Sequence, residues 1–166
     1  MRSLNFIIMI ILLVTAVYSQ APRQQQYLKQ YYQYKQRHFP EVPDITVRQL
    51  TSLSEFKNAI LVDVRTPEER AVSLIPEAIS EDSLQLLPES ALSGTPIIVY
   101  CTIGIRSGYA TREMRKKGLK AFNLVGGILS WAAEGRLFQM GPIRGKRVHI
   151  YSREWNFLVP GYEAVY

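Results

Sequence analysis

The 166-residue sequence has few of the residues that metal sites and disulfide frameworks require. It contains one cysteine and two histidines, and no cluster of such residues has metal-ligand spacing. We therefore expect no metal. A single cysteine cannot form an internal disulfide, so the thiol of Cys101 is predicted to be free and reactive, or paired with another molecule. Heptads and long repeats are also missing, which leaves one domain of ordinary size.

The positive charge of the chain lacks the pattern of a nucleic-acid surface. The formal net charge is +6. One basic stretch follows the cysteine, but no aromatic residues are interleaved with it as a nucleic-acid surface would require. The charge is interpreted as favouring solubility, and no nucleic-acid partner is predicted. The stretch comprises Arg112, Arg115, Lys116, Lys117 and Lys120.

Residues 1–19 form a separate apolar element. Arg2 provides a positive start, residues 6–17 are nearly continuously apolar, and Ser19 is a small residue at a possible cleavage site. The run is shorter than the ~20 residues of a membrane span and matches a secretory signal. We expect a signal peptide, or an uncleaved anchor that tethers the protein to a membrane through residues 4–18. Both alternatives predict export to the periplasm, a lumen or the cell envelope, in soluble or anchored form.

Residues 20–43 are rich in Gln, Tyr and Lys. The spacing of Tyr27, Tyr31 and Tyr34 is compatible with one face of a helix. Pro40 and Pro43 would end any such helix before the domain. This segment is interpreted as a polar tether.

Beyond residue 44, short apolar runs alternate with helical patterns. This alternation predicts an α/β fold with an open parallel sheet of about five strands flanked by helices. Functional residues are then expected at the carboxyl ends of the strands. The predicted strands lie at 45–47, 60–64, 78–79, 97–100 and 121–124; the predicted helices lie at 48–57, from Thr66, at 107–117 and at 126–134.

Cys101 follows the central predicted strand directly. A turn containing Gly104 comes next, then Arg106 and a helical segment. Backbone N–H groups converge at such a position, and together with the helix dipole they favour an anion. The cation of Arg106 would also favour a thiolate over a thiol. The arrangement suits a nucleophilic cysteine that receives a group from an anionic donor.

Four segments resemble those of rhodanese-type sulfurtransferases. Cys101-x-x-Gly104-x-Arg106-Ser107 resembles the active-site loop of that family. Residues 61–69 (LVDVRTPEE), 75–79 (IPEAI) and 124–131 (LVGGILSW) resemble three further family segments. The resemblance implies a rhodanese-like domain over 44–137. It departs from the family where Ser73-Leu74 replaces Gly-His and where Glu77 replaces Gly.

The resemblance implies sulfur transfer through a persulfide on Cys101. An anionic donor such as thiosulfate would supply the sulfur, and a thiol or cyanide would accept it. The loop of Thr102, Ile103, Gly104, Ile105, Arg106 and Ser107 would hold the anion and the persulfide. Asp63 and Arg65 are expected to brace a strand end rather than to react. No cofactor is required.

Two alternatives remain open. Cysteine phosphatases and arsenate reductases use Cys-x5-Arg, whereas this chain has Cys-x4-Arg, which disfavours phosphoryl transfer. A non-catalytic rhodanese-like module that binds a partner or senses sulfur would retain Cys101 as a core residue. The sequence identifies no protein partner.

Residues 138–166 lie beyond the resemblance. Apolar and polar residues alternate over 147–159, which predicts one or two strands with a turn near Ser152. The aromatic content indicates an extension that packs on the domain, or a docking face.

Overall fold

A parallel sheet forms the centre of the computed structural model, which describes residues 24–166. The sheet has five strands in the order β1-β5-β4-β2-β3, and every neighbouring pair is parallel. The predicted α/β fold is confirmed. The strands are Asp44–Ile45 (β1), Ile60–Asp63 (β2), Ile79–Ser80 (β3), Ile97–Tyr100 (β4) and Ala121–Leu124 (β5).

Helices pack around this sheet. Residues 24–38 are helical (α1). The other helices are Val47–Ser52 (α2), Pro67–Val72 (α3), Glu81–Gln85 (α4), Glu89–Leu92 (α5), Ile105–Lys116 (α6) and Gly127–Ala133 (α7).

Strand β4 is fully buried because both faces of the sheet are covered. Ile97 and Val99 pack in a cluster with residues of α4 and α6. Ile98 and Tyr100 pack in a second cluster with residues of α2 and α7. A parallel strand covered on both faces has a continuous apolar sequence. Because β4 is the middle strand of the five, Cys101, which follows it, lies midway along the carboxyl edge of the sheet.

Local hydrogen bonds define the starts of two helices. The Thr66 hydroxyl accepts a hydrogen bond from the Glu69 amide, the Glu69 carboxylate accepts one from the Thr66 amide, and Pro67 opens α3, which confirms the predicted helix start. A similar pair of reciprocal hydrogen bonds at Thr46 starts α2, so the strand ends at Ile45 and not at residue 47 as predicted. The predicted helix 48–57 is also divided, because Leu53 is extended (ψ 129°) before a 3-10 turn at Ser54–Phe56.

Residues 24–38 differ from the predicted polar tether. They form α1, in which Tyr27 and Tyr31 are 0% exposed. Tyr27 joins the core around α2 and α7, while Tyr31 packs in a smaller cluster with Phe39, Val42 and Val125. The face of α1 that carries these tyrosines is buried against the sheet domain, so α1 is a docked helix and not a tether. The predicted signal or anchor segment 1–19, and the start of the tether, lie outside the described residues.

The C-terminal extension differs in part from its prediction. Phe138–Met140 (β6) and Ile143–Gly145 (β7) form an antiparallel hairpin, and Arg147–His149 (β8) pairs in parallel with Glu163–Val165 (β9). The second strand expected after the turn near Ser152 is instead a 3-10 helix, Arg153–Trp155. The chain bends there because Tyr151 adopts a positive φ of 71°. Val148 and Ile150 are 0% exposed and belong to the main core.

Candidate active site

The thiol of Cys101 lies at the carboxyl end of β4, and the residue is 1% exposed. The Gly104 amide donates a hydrogen bond to Cys101 Sγ at 3.2 Å, and the Ser107 hydroxyl donates one at 3.5 Å. Helix α6 begins at Ile105, so its first-turn amides have no acceptor within the helix. Two donors and a helix N-terminus therefore surround the sulfur, and all of them favour negative charge on it.

The loop after Cys101 turns sharply at Gly104, which has a φ of 103°. A Cβ at this position would lie 2.8 Å from the ring of Tyr31, so the loop also requires glycine for space. The Asn123 amide donates to the Gly104 carbonyl at 3.0 Å and to the Tyr31 hydroxyl at 2.8 Å. Asn123 of β5 thereby connects the loop to Tyr31 of α1, and both elements stabilise the turn at Gly104.

The hydroxyl of Tyr31 donates to Asp44 Oδ1 at 2.5 Å. Burial of the side chain, followed by the hydrogen bond to Asp44 and the charge of that carboxylate, raises the pKa of Tyr31. The hydroxyl stays protonated at neutral pH and acts as a donor. Its role is structural, since it connects α1 to the start of the sheet.

Helix α7 contacts the cysteine loop from the other side. The amide of Ile128 donates to the Cys101 carbonyl at 3.0 Å, and the amide of Leu129 donates to the Thr102 carbonyl at 3.3 Å. Gly127 has a φ of 46°, and a Cβ there would clash with the Cys101 carbonyl oxygen. The glycine pair predicted to start this helix therefore allows close backbone approach to the loop.

Arg106 is held by a carboxylate that the sequence motifs did not assign to the site. Its Nη1 lies 2.7 Å from Glu69 Oε2 and its Nη2 lies 2.8 Å from Glu69 Oε1. Its Nη2 also donates to Thr102 Oγ1 at 3.1 Å. Arg106 retains a side-chain exposure of 34%, whereas that of Glu69 is 3%. The guanidinium therefore lies at the mouth of the loop with one face still accessible.

The charge of Glu69 is favoured despite its burial. Burial works to raise the pKa of Glu69, but the hydrogen bonds from Arg106 and from the Thr66 amide, with the charges of Arg106 and Arg65, lower it overall. Burial works to lower the pKa of Arg106, but the hydrogen bond and charge of Glu69, together with the interaction with Cys101, raise it overall. Both groups are ionised at neutral pH.

Asp63 and Arg65 form a separate, fully buried ion pair. The distance from Arg65 Nη2 to Asp63 Oδ2 is 2.7 Å, and both side chains are 0% exposed. Arg65 also donates to the carbonyls of Ser73, at 2.6 Å, and His149, at 3.4 Å. The pair connects the end of β2 to the segment after α3 and to the C-terminal extension, which corresponds to a brace.

A cavity of about 160 Å³ opens above Cys101. Two of its lining residues come from the C-terminal extension, Tyr151 and Trp155. The Arg106 guanidinium carbon lies 5.3 Å from the centre of the Tyr151 ring. Of the predicted loop, Gly104 and Ser107 contact the sulfur from the protein side. The remaining lining residues are Cys101, Thr102, Ile103, Ile105 and Arg106.

Residues 46–134 match the family model described as a rhodanese-like domain. This match covers more than half of the chain. The chain belongs to the rhodanese-like family. The cysteine loop, the Asp63–Arg65 pair and the glycine-started α7 all lie within the matched range.

Individual relatives agree with this assignment. A sulfurtransferase from Allochromatium vinosum is 35% identical over 88 residues, which are 50% of this chain and 80% of that protein. Two further curated relatives are longer, and the chain spans 15% and 52% of their lengths. The relatives support sulfur transfer as the general class of reaction of this rhodanese-like chain.

Solved structures share the fold. A rhodanese-related protein from Thermoplasma volcanium is 25% identical with a TM-score of 0.50, over 59% of this chain and 98% of that one. A thiosulfate sulfurtransferase from Pseudomonas aeruginosa is 20% identical with a TM-score of 0.53, over 75% of this chain and 24% of that one. The latter likeness concerns the fold alone.

Sequence reasoning missed three side chains at the rhodanese-like site. The sequence assigns Glu69 only to a helix start, because the 37 positions between it and Arg106 leave no local signal for their ion pair. Tyr151 and Trp155 were assigned only to packing or docking, because nothing local connects them to Cys101. Within residues 24–166, no group of three His, Cys, Asp or Glu side chains could hold a metal ion. None of the helices described between residues 24 and 166 is long and apolar enough to cross a membrane.

Proposed function

We propose that the protein is a sulfurtransferase that carries sulfane sulfur as a persulfide on Cys101, with thiosulfate as a representative donor. The observation that carries this proposal is the position of the Cys101 sulfur between the Gly104 amide, the Ser107 hydroxyl and the start of α6. These donors stabilise both a thiolate and a persulfide anion. The cavity above the sulfur has room for one more sulfur atom and a donor.

The first half-reaction loads the cysteine. The Cys101 thiolate attacks the outer sulfur of thiosulfate, a new S–S bond forms, and the S–S bond of the donor breaks. Its electron pair leaves on sulfite. The accessible face of Arg106 holds the anionic donor during this step, while Glu69 fixes the guanidinium in place.

The second half-reaction unloads the cysteine. A thiolate or cyanide attacks the outer sulfur of the persulfide, and the electron pair of the broken S–S bond returns to Cys101 as a thiolate. The acceptor leaves as an organic persulfide or as thiocyanate. No metal or redox cofactor takes part in either half-reaction.

Intact-mass analysis after incubation with thiosulfate tests the proposal. We expect a gain of one sulfur atom on the wild-type protein, lost again when cyanide is added. The Cys101→Ser variant should keep the fold and show no gain. A wild-type protein that takes up no sulfur, or a serine variant that still forms thiocyanate, would refute the persulfide mechanism and favour a binding module.

The Arg106→Ala variant tests the donor site. Loss of one charge-assisted contact should weaken thiosulfate binding by roughly 1.5–3 kcal/mol. The measurement is the thiosulfate concentration that gives half-maximal loading. Arg112→Ala, on the same helix but outside the cavity, is the matched control. Equal concentrations for the two variants would show that Arg106 does not bind the donor.

We also propose that residues 1–19 direct export. The supporting features are the basic start, the apolar run and the small residue Ser19. Cell fractionation with mass spectrometry of the N-terminus tests this. A mature N-terminus near Gln20 supports cleavage, and Met1 in a membrane fraction supports an anchor. Intact Met1 in soluble cytoplasm contradicts both forms of the proposal.

A further inference from the structure

The C-terminal extension supplies one wall of the sulfur-transfer cavity. Tyr151 and Trp155 line the space above Cys101, although they lie about 50 residues later in the chain. Trp155 closes the short 3-10 helix Arg153–Trp155. The family match ends at residue 134, so this wall belongs to the part of the chain outside the matched domain.

Several contacts hold Tyr151 in place over the cavity. Its φ of 71° lies in a region that residues with side chains rarely adopt. The Tyr151 amide donates to His149 Nδ1 at 3.1 Å, and His149 belongs to strand β8. The phenol ring then lies over the Arg106 guanidinium. A constrained backbone thus directs an aromatic side chain toward the sulfur site.

Trp155 is anchored from the opposite direction. Its amide donates to the Ser152 carbonyl at 3.1 Å. Its ring lies edge-on to Phe157, with 6.2 Å between centroids, and Phe157 lies 6.0 Å from the ring of Tyr27 in α1. The aromatic wall is therefore continuous with the core and has a defined position.

The electrostatics of the cavity favour an acceptor with an apolar body. Its one cationic side chain, Arg106, already shares its charge with Glu69 through two hydrogen bonds. The other walls are provided by Ile103, Ile105 and the two aromatic rings. A strongly hydrated acceptor would lose water contacts against these apolar walls and find polar partners only at Arg106 and Thr102, whereas apolar surface gains from burial.

The size of the cavity fits an organic group. A space of about 150 Å³ with apolar walls takes up a benzene ring, and the cavity above Cys101 measures about 160 Å³. The transferred sulfur alone would leave most of this volume unused.

From these observations we infer that Tyr151 and Trp155 determine acceptor specificity, and that they select a small organic thiol with an aromatic or other apolar body. This inference rests on the proposed persulfide chemistry. The acceptor thiolate attacks the outer sulfur of the Cys101 persulfide, the S–S bond breaks, and its electron pair returns to Cys101. The product is the organic persulfide of the acceptor, and no external oxidant or reductant is needed.

The experiment compares two acceptors on protein that has already been loaded with sulfur. The acceptors are 2-phenylethanethiol and 2-mercaptoethanol, which are both primary alkanethiols but differ in apolar body. Discharge of the Cys101 persulfide is followed by intact mass in single-turnover mixtures. The readout is the ratio of the two second-order rate constants, because a general defect lowers both rates and leaves their ratio unchanged.

We expect the wild-type protein to prefer 2-phenylethanethiol by about tenfold or more. Trp155→Ala and Tyr151→Ala should each bring the ratio toward one. Tyr151 is 60% exposed, so its variant should fold even if the tryptophan variant does not. Tyr166→Ala removes an exposed aromatic residue of the same extension outside the cavity and should retain the preference.

The outcomes separate the inference from the proposed function. Wild-type protein that loads sulfur but discharges equally to both thiols overturns the inference and leaves the function standing. A preference that survives in both cavity variants also overturns it, because the selectivity would then lie elsewhere. If the wild-type protein never loads sulfur, there is no persulfide to discharge, and both the inference and the proposed function are overturned.

Discussion

Glu69→Gln is the substitution whose effect the structure specifies most closely. Glu69 accepts hydrogen bonds from Arg106 Nη1, Arg106 Nη2 and the Thr66 amide, at 2.7, 2.8 and 2.9 Å. Glutamine has the same size but one acceptor oxygen, and its NH₂ group would face an N–H of the guanidinium. The variant therefore removes the charge and at least one contact while it retains the shape of the side chain.

The expected cost to the free energy of unfolding is about 2 kcal/mol. Removing one partner of a buried pair costs about 3–5 kcal/mol, and hydrogen bonds to charged groups are worth about 1.5–3 kcal/mol. Arg106 retains 34% side-chain exposure, so water can solvate part of the guanidinium that has lost its partner. The lower part of these ranges therefore applies. Urea unfolding at pH 7 should show a midpoint lower by about 1 M.

The difference in the free energy of unfolding between the wild type and Glu69→Gln should depend on pH in a defined direction. The pKa of Glu69 is lowered in the folded protein, so its stabilising contribution is fully present above the unfolded pKa of about 4.3. It is lost as the pH falls through the lower folded value.

The control is Glu68→Gln, which removes an exposed carboxylate from the same helical turn and should change the midpoint less. The reasoning is refuted if Glu69→Gln unfolds at the same urea concentration as the wild type at neutral pH. It is equally refuted if the difference persists unchanged at a pH where the glutamate is protonated in both states.

Three further predictions concern stability and are measured by urea unfolding. Asp63→Asn leaves its buried arginine partner uncompensated and should cost about 3–5 kcal/mol; a cost under about 1 kcal/mol would contradict a structural brace. Gly127→Ala should destabilise the protein far more than Gly135→Ala. Both glycines have positive φ, but only a Cβ at position 127 would meet backbone atoms; similar effects would exclude the close approach of α7 to the cysteine loop. Tyr31→Ala should cost about 3–5 kcal/mol, and Tyr32→Ala, at an exposed site, much less; equal effects would contradict a docked α1.

Local patterns were sufficient to predict most of the sheet and the position of Cys101 at a strand end. The apolar run at 97–100 predicts a strand covered on both faces, and its four residues are all buried. Thr66 and Pro67 predict the start of α3 through hydrogen bonds within one turn. Gly118 follows α6 with a φ of 83°, as a helix end requires. These features depend on neighbouring residues, so the sequence contains them directly.

Partners that are distant in the chain could not be predicted in the same way. A helical spacing of Tyr27 and Tyr31 is compatible with a free helix and with a docked one, and only the available core surface distinguishes the two. The pattern over 147–159 predicts strands, but the positive φ of Tyr151 replaces part of them with a bend and a 3-10 turn. Packing against the domain outweighs the local alternation there.

The sequence alone determined the family, the five strands of the parallel sheet and the position of Cys101 at a strand end, because each depends on short-range spacing. The tertiary structure decided what surrounds the sulfur. It brings Glu69 to Arg106 across 37 positions of chain, and it brings Tyr151 and Trp155 over the cavity from a separate C-terminal segment. Such contacts arise from the packing of whole elements against one another, and no local periodicity specifies which distant side chains will meet.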